Sequence, residues 1–110
     1  MLFGVMDHCD LNPSASQADH YAARLDQVAL YDEAGFYGFH ITEHHCTPLG
    51  GGAAPTAFLA AASQRTKKLR LGAFVFVIPL NHPIKLIEEL CVVDQMSRGD
   101  RKSTRLNSSH

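Results

Sequence analysis

No apolar run in this sequence approaches the ~18 residues needed to cross a bilayer. Asp7 interrupts the first apolar run after six residues, too early for the core of a secretory signal. A cytoplasmic location is therefore the default expectation. Charge of one sign is also missing. Ten basic and eleven acidic residues give a formal net charge of −1. That balance argues against nucleic acid or an anionic membrane surface as a partner. Cysteine is scarce: Cys9, Cys46 and Cys91 are odd in number and far apart. Reduced thiols are expected rather than a disulfide framework. Neither a Cys-x2-Cys nor a His-Glu-x-x-His spacing is present, and there is no internal sequence repeat.

What is there fits one soluble α/β domain. The 110 residues, 45% apolar and 19% charged, suffice for a modest core. Residues 1–99 are regularly patterned and show no internal domain boundary. Residues 100–110 are not: they contain one apolar residue, Leu106, and no amphipathic period. A polar, disordered tail is one reading. The sharper expectation is a non-native tail, because the eleven residues resemble the in-frame translation of a short-read sequencing adapter. Setting aside Asp100, Arg101, Lys102 and Arg105 leaves 7 basic and 10 acidic residues, a net charge of −3.

Residues 2–6 read as a buried strand feeding a polar loop at residues 7–10. Asn12-Pro13-Ser14 is turn chemistry. A helix is predicted over 17–34, with Tyr21, Leu25, Val28 and Ala29 as its buried stripe. Ser14 or Ser16 would cap its start, and Gly35 would supply the left-handed residue that ends it. Residues 36–42 form the second strand. The loop over 46–54, with Pro48 and three glycines, is expected to be mobile or to hug a ligand. Pro55 opens a second helix running to about Arg65, and Lys67-Lys68 is a solvated turn. Residues 69–78 read as a third strand covered on both faces, ended by Pro79. Asn81 is the expected cap of a third helix, with Ile84, Ile87, Leu90 and Cys91 as its buried stripe. This βαβαβα order implies a parallel sheet with right-handed crossovers. Three units cannot close a barrel, which needs about 250 residues. They would leave the third strand as an exposed apolar edge.

The chemistry gathers in Ile41-Thr42-Glu43-His44-His45-Cys46, where the second strand meets the glycine-rich loop. Loops leaving the C-terminal ends of parallel strands line the open face of α/β sheets. His44 and His45 are adjacent, so in an extended segment only one can face a pocket. Imidazole suits proton transfer near neutral pH; the plain alternative is two histidines that satisfy loop backbone. Glu43 has three options: bonding a histidine, tying the loop down, or catalysis. Asp7 and His8, ending the first strand, would share its rim. His82 either caps the third helix or faces the pocket. His20 is expected to face solvent, and His40 to be hydrogen-bonded in its strand. Phe74 and Val75 read as core. His8, Cys9, Glu43, His44, His45 and Cys46 could instead cluster around Zn2+, although no ligand spacing supports that.

Taken together, Ala34-Gly35-Phe36, Glu43-His44-His45, Leu71-Gly72, Pro79, His82-Pro83, Glu88-Glu89 and Asp94-Gln95-Met96-Ser97-Arg98-Gly99 resemble, in order and spacing, the bacterial luciferase-like flavin monooxygenases. The resemblance covers essentially all of residues 1–99. Tyr37, Thr47-Pro48-Leu49-Gly50 and Ile87-Glu88-Glu89 are closer to a monooxygenase-type subgroup than to light-emitting members. The resemblance implies that the chain is the N-terminal portion of a truncated (β/α)8 TIM barrel. It implies reduced FMN at the C-terminal ends of the strands, O2 as co-substrate, and oxygenation of an aldehyde, alkane, sulfonate or similar small molecule. His44 would be the acid/base residue, with Glu43, Phe74 and Val75 on the cofactor. Asp7, His8, His45 and His82 would lie on the substrate side or behind these. A non-proline cis peptide would fall near Phe74-Val75, and the phosphate-binding residues beyond residue 99. A flavin reductase would supply reduced flavin, and the parent protein could be a dimer. The alternative on the same fold is hydride transfer with the deazaflavin coenzyme F420, without O2. The 110-residue chain by itself is expected to be inactive.

Overall fold

The computed structural model describes residues 1–48 and 50–98. The tail expected over residues 100–110 lies outside the described residues, as does Leu49. Three βα units follow one another: β1 (Gly4–Asp7), α1 (Gln17–Glu33), β2 (Gly38–Ile41), α2 (Pro55–Ser63), β3 (Arg70–Ala73) and α3 (Pro83–Met96). The strands form one parallel sheet in the order β1-β2-β3. Asp7, Ile41 and Ala73 stand in register, so all three strands end at one level.

Local chemistry sets the bounds of α1. Ser16 is its N-cap and accepts the Asp19 N–H at 3.0 Å. At the other end Gly35 turns left-handed at φ 85°. Its N–H reaches Asp32 O, and the Phe36 N–H reaches Tyr31 O, the paired bonds of a Schellman ending. The Tyr31 and Phe36 rings, 5.2 Å apart, add the accompanying apolar contact. The Asp32 carboxylate then accepts three backbone N–H groups, from Lys67, Lys68 and Leu69, at 2.7–2.9 Å. It thereby fixes where β3 begins.

The helices cover one face of the sheet. Phe39 lies 6.2 Å from Tyr31 of α1 and 6.0 Å from Phe58 of α2, and Ile41, Leu71 and Ala73 are fully buried with it. Strand alternation puts Met6, His40 and Gly72 on the other face, where Met6 is exposed. No helix among the described residues is long and apolar enough to cross a membrane.

Several expectations need correction. β1 is not buried: Leu2, Phe3 and Met6 are exposed, because it is an edge strand whose second face is uncovered. β3 stops at Ala73 rather than Ile78, because its partner β2 ends at Ile41 and offers no further ladder. Phe74 and Val75 are accordingly exposed, at 56% and 40%, while Phe76 turns back into the core. The peptide bond between Phe74 and Val75 is cis, where the resemblance put it. His82, not Asn81, caps α3: its Nδ1 accepts the Ile84 N–H at 3.2 Å. The buried stripe of α3 is Leu86, Leu90 and Val93. Ile84, Ile87 and Cys91 are exposed, since α3 leans on α2, where Thr56 Oγ1 donates to Glu89 at 2.8 Å.

Candidate active site

At the common end of the strands the chain turns the polar row inward. His8 follows β1 directly, and its Nδ1 lies 3.3 Å from Thr42 Oγ1. His44 meets the same imidazole, the two ring centroids being 5.6 Å apart and tilted by 42°. Thr42 thus orients His8, and His8 flanks His44. His45 goes the other way, as adjacent residues in an extended segment must. Its Nε2 lies 2.6 Å from Glu43 Oε2. The Glu43 side chain is only 3% exposed. Its other oxygen accepts the Val77 N–H at 3.0 Å, with Asn81 Nδ2 3.5 Å away. The histidine bond foreseen for Glu43 is therefore made, and its other oxygen holds the segment after β3.

Asp7 sits on the same rim, occupied by the Cys9 N–H at 2.8 Å and by Arg24 at 3.3 Å. Phe74 continues β3 as an exposed ring, edge-on to His40 at 6.5 Å. Among the described residues His40 makes this ring contact and not the hydrogen bond expected of it, and burial lowers its pKa. No hydrogen bond or ring contact among the described residues joins His82 to the cluster, although its neighbour Asn81 belongs to it.

The glycine loop packs closely against its own chain. It is clamped onto the rim itself. A Cβ on Gly51 would overlap the Cys9 carbonyl oxygen, and one on Gly52 the Thr42 carbonyl oxygen. The Tyr21 hydroxyl donates to Gly51 O at 2.9 Å, and the Leu11 N–H to Pro48 O at 3.1 Å. His20 also departs from expectation. It is buried, with Nε2 3.5 Å from Cys9 Sγ, because Cys9 takes a left-handed conformation (φ 55°) that turns its thiol toward α1. Burial first, and the Asp7 charge second, push the Cys9 thiol up to about 11.

The six residues that could have gathered around zinc diverge: His45 turns to Glu43, Cys9 to His20, and Cys46 to solvent. Among the described residues no three His, Cys, Asp or Glu side chains come together to hold a metal ion. Sequence reasoning missed Thr42, Asn81 and Val77 as members of the site. Alternation offered a signal for Thr42, which stands two residues from both His40 and His44. Nothing local pointed to Asn81 or Val77.

The geometry can be set beside known proteins. The sequence profile of the luciferase-like monooxygenases matches residues 1–100. The uncharacterized protein y4wF of Sinorhizobium fredii is 41% identical over 99 residues, covering 90% of this chain and 29% of that protein. The crystal structure of monooxygenase RslO1 from Streptomyces bottropensis superposes with a TM-score of 0.83 at 32% identity, over 94% of this chain and 31% of that one. The oxygenating constituent of 3,6-diketocamphane monooxygenase from Pseudomonas putida, a Baeyer–Villiger enzyme in complex with FMN, shares the fold with a TM-score of 0.82 at 23% identity. It covers 90% of this chain and 27% of that one. The chain thus spans about three tenths of the length of these proteins. Its three βα units are those of the luciferase-like α/β barrel, and the chain belongs to the luciferase-like monooxygenase family.

Proposed function

We propose that this chain supplies one wall of the active site of a flavin-dependent monooxygenase, with His44 as the acid/base residue and reduced FMN as the cofactor. The observation that carries this reading is the meeting of His8, Thr42 and His44 at the strand ends, beside an uncovered apolar ledge. Phe74 and Val75 form that ledge, exposed while Ala73 and Phe76 on either side are buried. A flat, largely apolar ring system fits against such a ledge, and its polar edge would meet the imidazoles. The residues present therefore fit a flavin ring. Its phosphate would be held by residues beyond position 99.

Reduced flavin would supply the electrons that activate O2 for insertion of one oxygen atom into an aldehyde, alkane, sulfonate or similar small molecule. His44 would hold or release the proton that this chemistry moves. His8, fixed by Thr42, would keep the His44 ring aimed at the site and line the substrate side with Asp7. The glycine loop over the rim would limit the entry of water. Reduced FMN is proposed ahead of a deazaflavin; the 3,6-diketocamphane enzyme, which has the same fold, is seen in complex with FMN. A flavin reductase as electron source, a dimeric assembly and a cytoplasmic location belong to the same proposal.

The test is His44→Ala in the intact enzyme, where oxygenation should fall roughly 10²–10⁴-fold. An unchanged rate refutes the assignment. Turnover that persists without O2 and depends on a deazaflavin would replace oxygenation with hydride transfer. The chain by itself is proposed to be inactive, and tight, saturable FMN binding by the 110 residues alone would contradict that.

A further inference from the structure

A buried carboxylate is costly unless its oxygens are satisfied. Glu43 is buried and ionisable, and both of its oxygens are engaged within the chain. Both are turned to partners within the chain, so its service to the reaction passes through those residues.

Its partners show which residues those are. The β2–β3 ladder closes with the Phe74 N–H donating to Ile41 O at 2.9 Å. The next tie between the two chain segments is the Val77 N–H on Glu43 Oε1 at 3.0 Å. Span 74–77 is thus pinned at both ends to residues 41 and 43 of one segment, and it bows outward between the pins. Phe74 and Val75 stand on the outward bow, and Phe76 anchors it from below. Asn81 reinforces the outer pin, because its Nδ2 donates to Val77 O at 2.7 Å and approaches Glu43 Oε1 at 3.5 Å. The second oxygen of Glu43 does something separate. By reaching His45 at 2.6 Å it bridges across His44, and so restricts the direction in which His44 leaves the backbone.

We propose that Glu43 is a positioning residue, a single carboxylate that fixes the Phe74–Val75 ledge and the His44 side chain relative to each other. One oxygen holds the ledge and the other holds the histidine pair. The inference rests on the functional reading above, which makes the ledge and His44 two parts of one flavin site.

The experiment compares the intact enzyme with its Glu43→Ala and Glu43→Gln variants by two measurements. The first is hydrogen–deuterium exchange of peptides covering 74–81, with peptides covering 38–42 and 70–73 as the control for fold. The second is the dissociation constant for FMN, read by quenching of flavin fluorescence. In Glu43→Ala the 74–81 peptides should exchange faster while the control peptides do not, and FMN should bind at least about tenfold more weakly, the scale of one lost charge-assisted hydrogen bond. Glu43→Gln keeps an oxygen for Val77 and should restore exchange and affinity to within about threefold of the parent. If Glu43→Ala does not fold, Asn81→Ala removes the reinforcement of the outer pin and should move both readouts the same way by a smaller factor. Faster exchange with unchanged FMN affinity overturns the positioning role and leaves the flavin reading intact. Unchanged exchange overturns the latch itself. Failure of the unsubstituted enzyme to bind FMN overturns the flavin reading, and the positioning role with it.

Discussion

Three consecutive glycines, Gly50, Gly51 and Gly52, provide a test in which neighbouring positions should behave oppositely. A Cβ built on Gly50 meets nothing within 4 Å, and the residue does not need the left-handed region. Gly50→Ala should therefore stabilise by about 0.4–1 kcal/mol, through the entropy lost from the unfolded chain. At Gly52 the new methyl would overlap the Thr42 carbonyl oxygen and come within 3.2 Å of its carbon. The obstacle is backbone, so no rotamer change relieves it. Overpacking costs typically about 1–3 kcal/mol, and an immovable neighbour puts Gly52→Ala at the top of that range or above it. Gly51→Ala meets Cys9 O, with Cys9 Sγ at 2.9 Å, and belongs beside it. For a domain of this size each kcal/mol moves the melting temperature by about 4–8 °C. Thermal unfolding followed by circular dichroism should show Gly50→Ala a few degrees above the parent and Gly52→Ala more than about 10 °C below it. The loss at Gly52 should also reach the chemistry, because Thr42 carries His8 and precedes Glu43 and His44. Equal effects at all three positions, or a tolerated Gly52→Ala, would refute the view that the loop is clamped onto the rim.

Asp32→Ala removes the acceptor of three backbone N–H groups and should cost about 2–4 kcal/mol in denaturant unfolding. Asp32→Asn keeps one oxygen and should lose less. A thiol reagent at pH 8 should label exposed Cys46 and Cys91 in the native protein and reach Cys9 only on unfolding, because Cys9 is buried and its thiol is pushed up to about 11. Burial lowers the His40 pKa, so its contribution to stability is complete above the ordinary value of 6.5 and is lost as pH falls through the folded value. His40→Gln should flatten the pH dependence of stability below about pH 6.5. An unaltered profile in that variant would assign the dependence to another group.

The parts of the fold that could be read from the sequence are those decided locally. Ser16 and Gly35 bound α1 by bonds within a few residues of themselves, so composition and period suffice. β3 could not be bounded in this way. Residues 73–78 look like uninterrupted strand, yet the ladder ends where β2 ends, and a carboxylate 34 residues away takes the Val77 N–H. The phase of α3 was hidden for a similar reason. The helix carries two apolar arcs, and only the place of α2 decides that Leu86, Leu90 and Val93 are the covered one. In the site, the row from Glu43 to Cys46 was legible as a row. That His45 turns to Glu43 and His44 to His8 was open, because it depends on where β1 delivers its own histidine.

The strands lie side by side in the order in which they are synthesised. As they leave the ribosome, β2 and β3 therefore each find one neighbour already made. Asp32 keeps an appointment open, because its amide donors arrive 35 to 37 residues later. At about 5–20 residues per second that is a delay of roughly 2–7 s. During it α1 and β2 can settle as a unit before the carboxylate closes over the start of β3. A slow-codon stretch far enough downstream for Leu69 to have left the ribosome would lengthen the pause at the moment that clasp becomes possible.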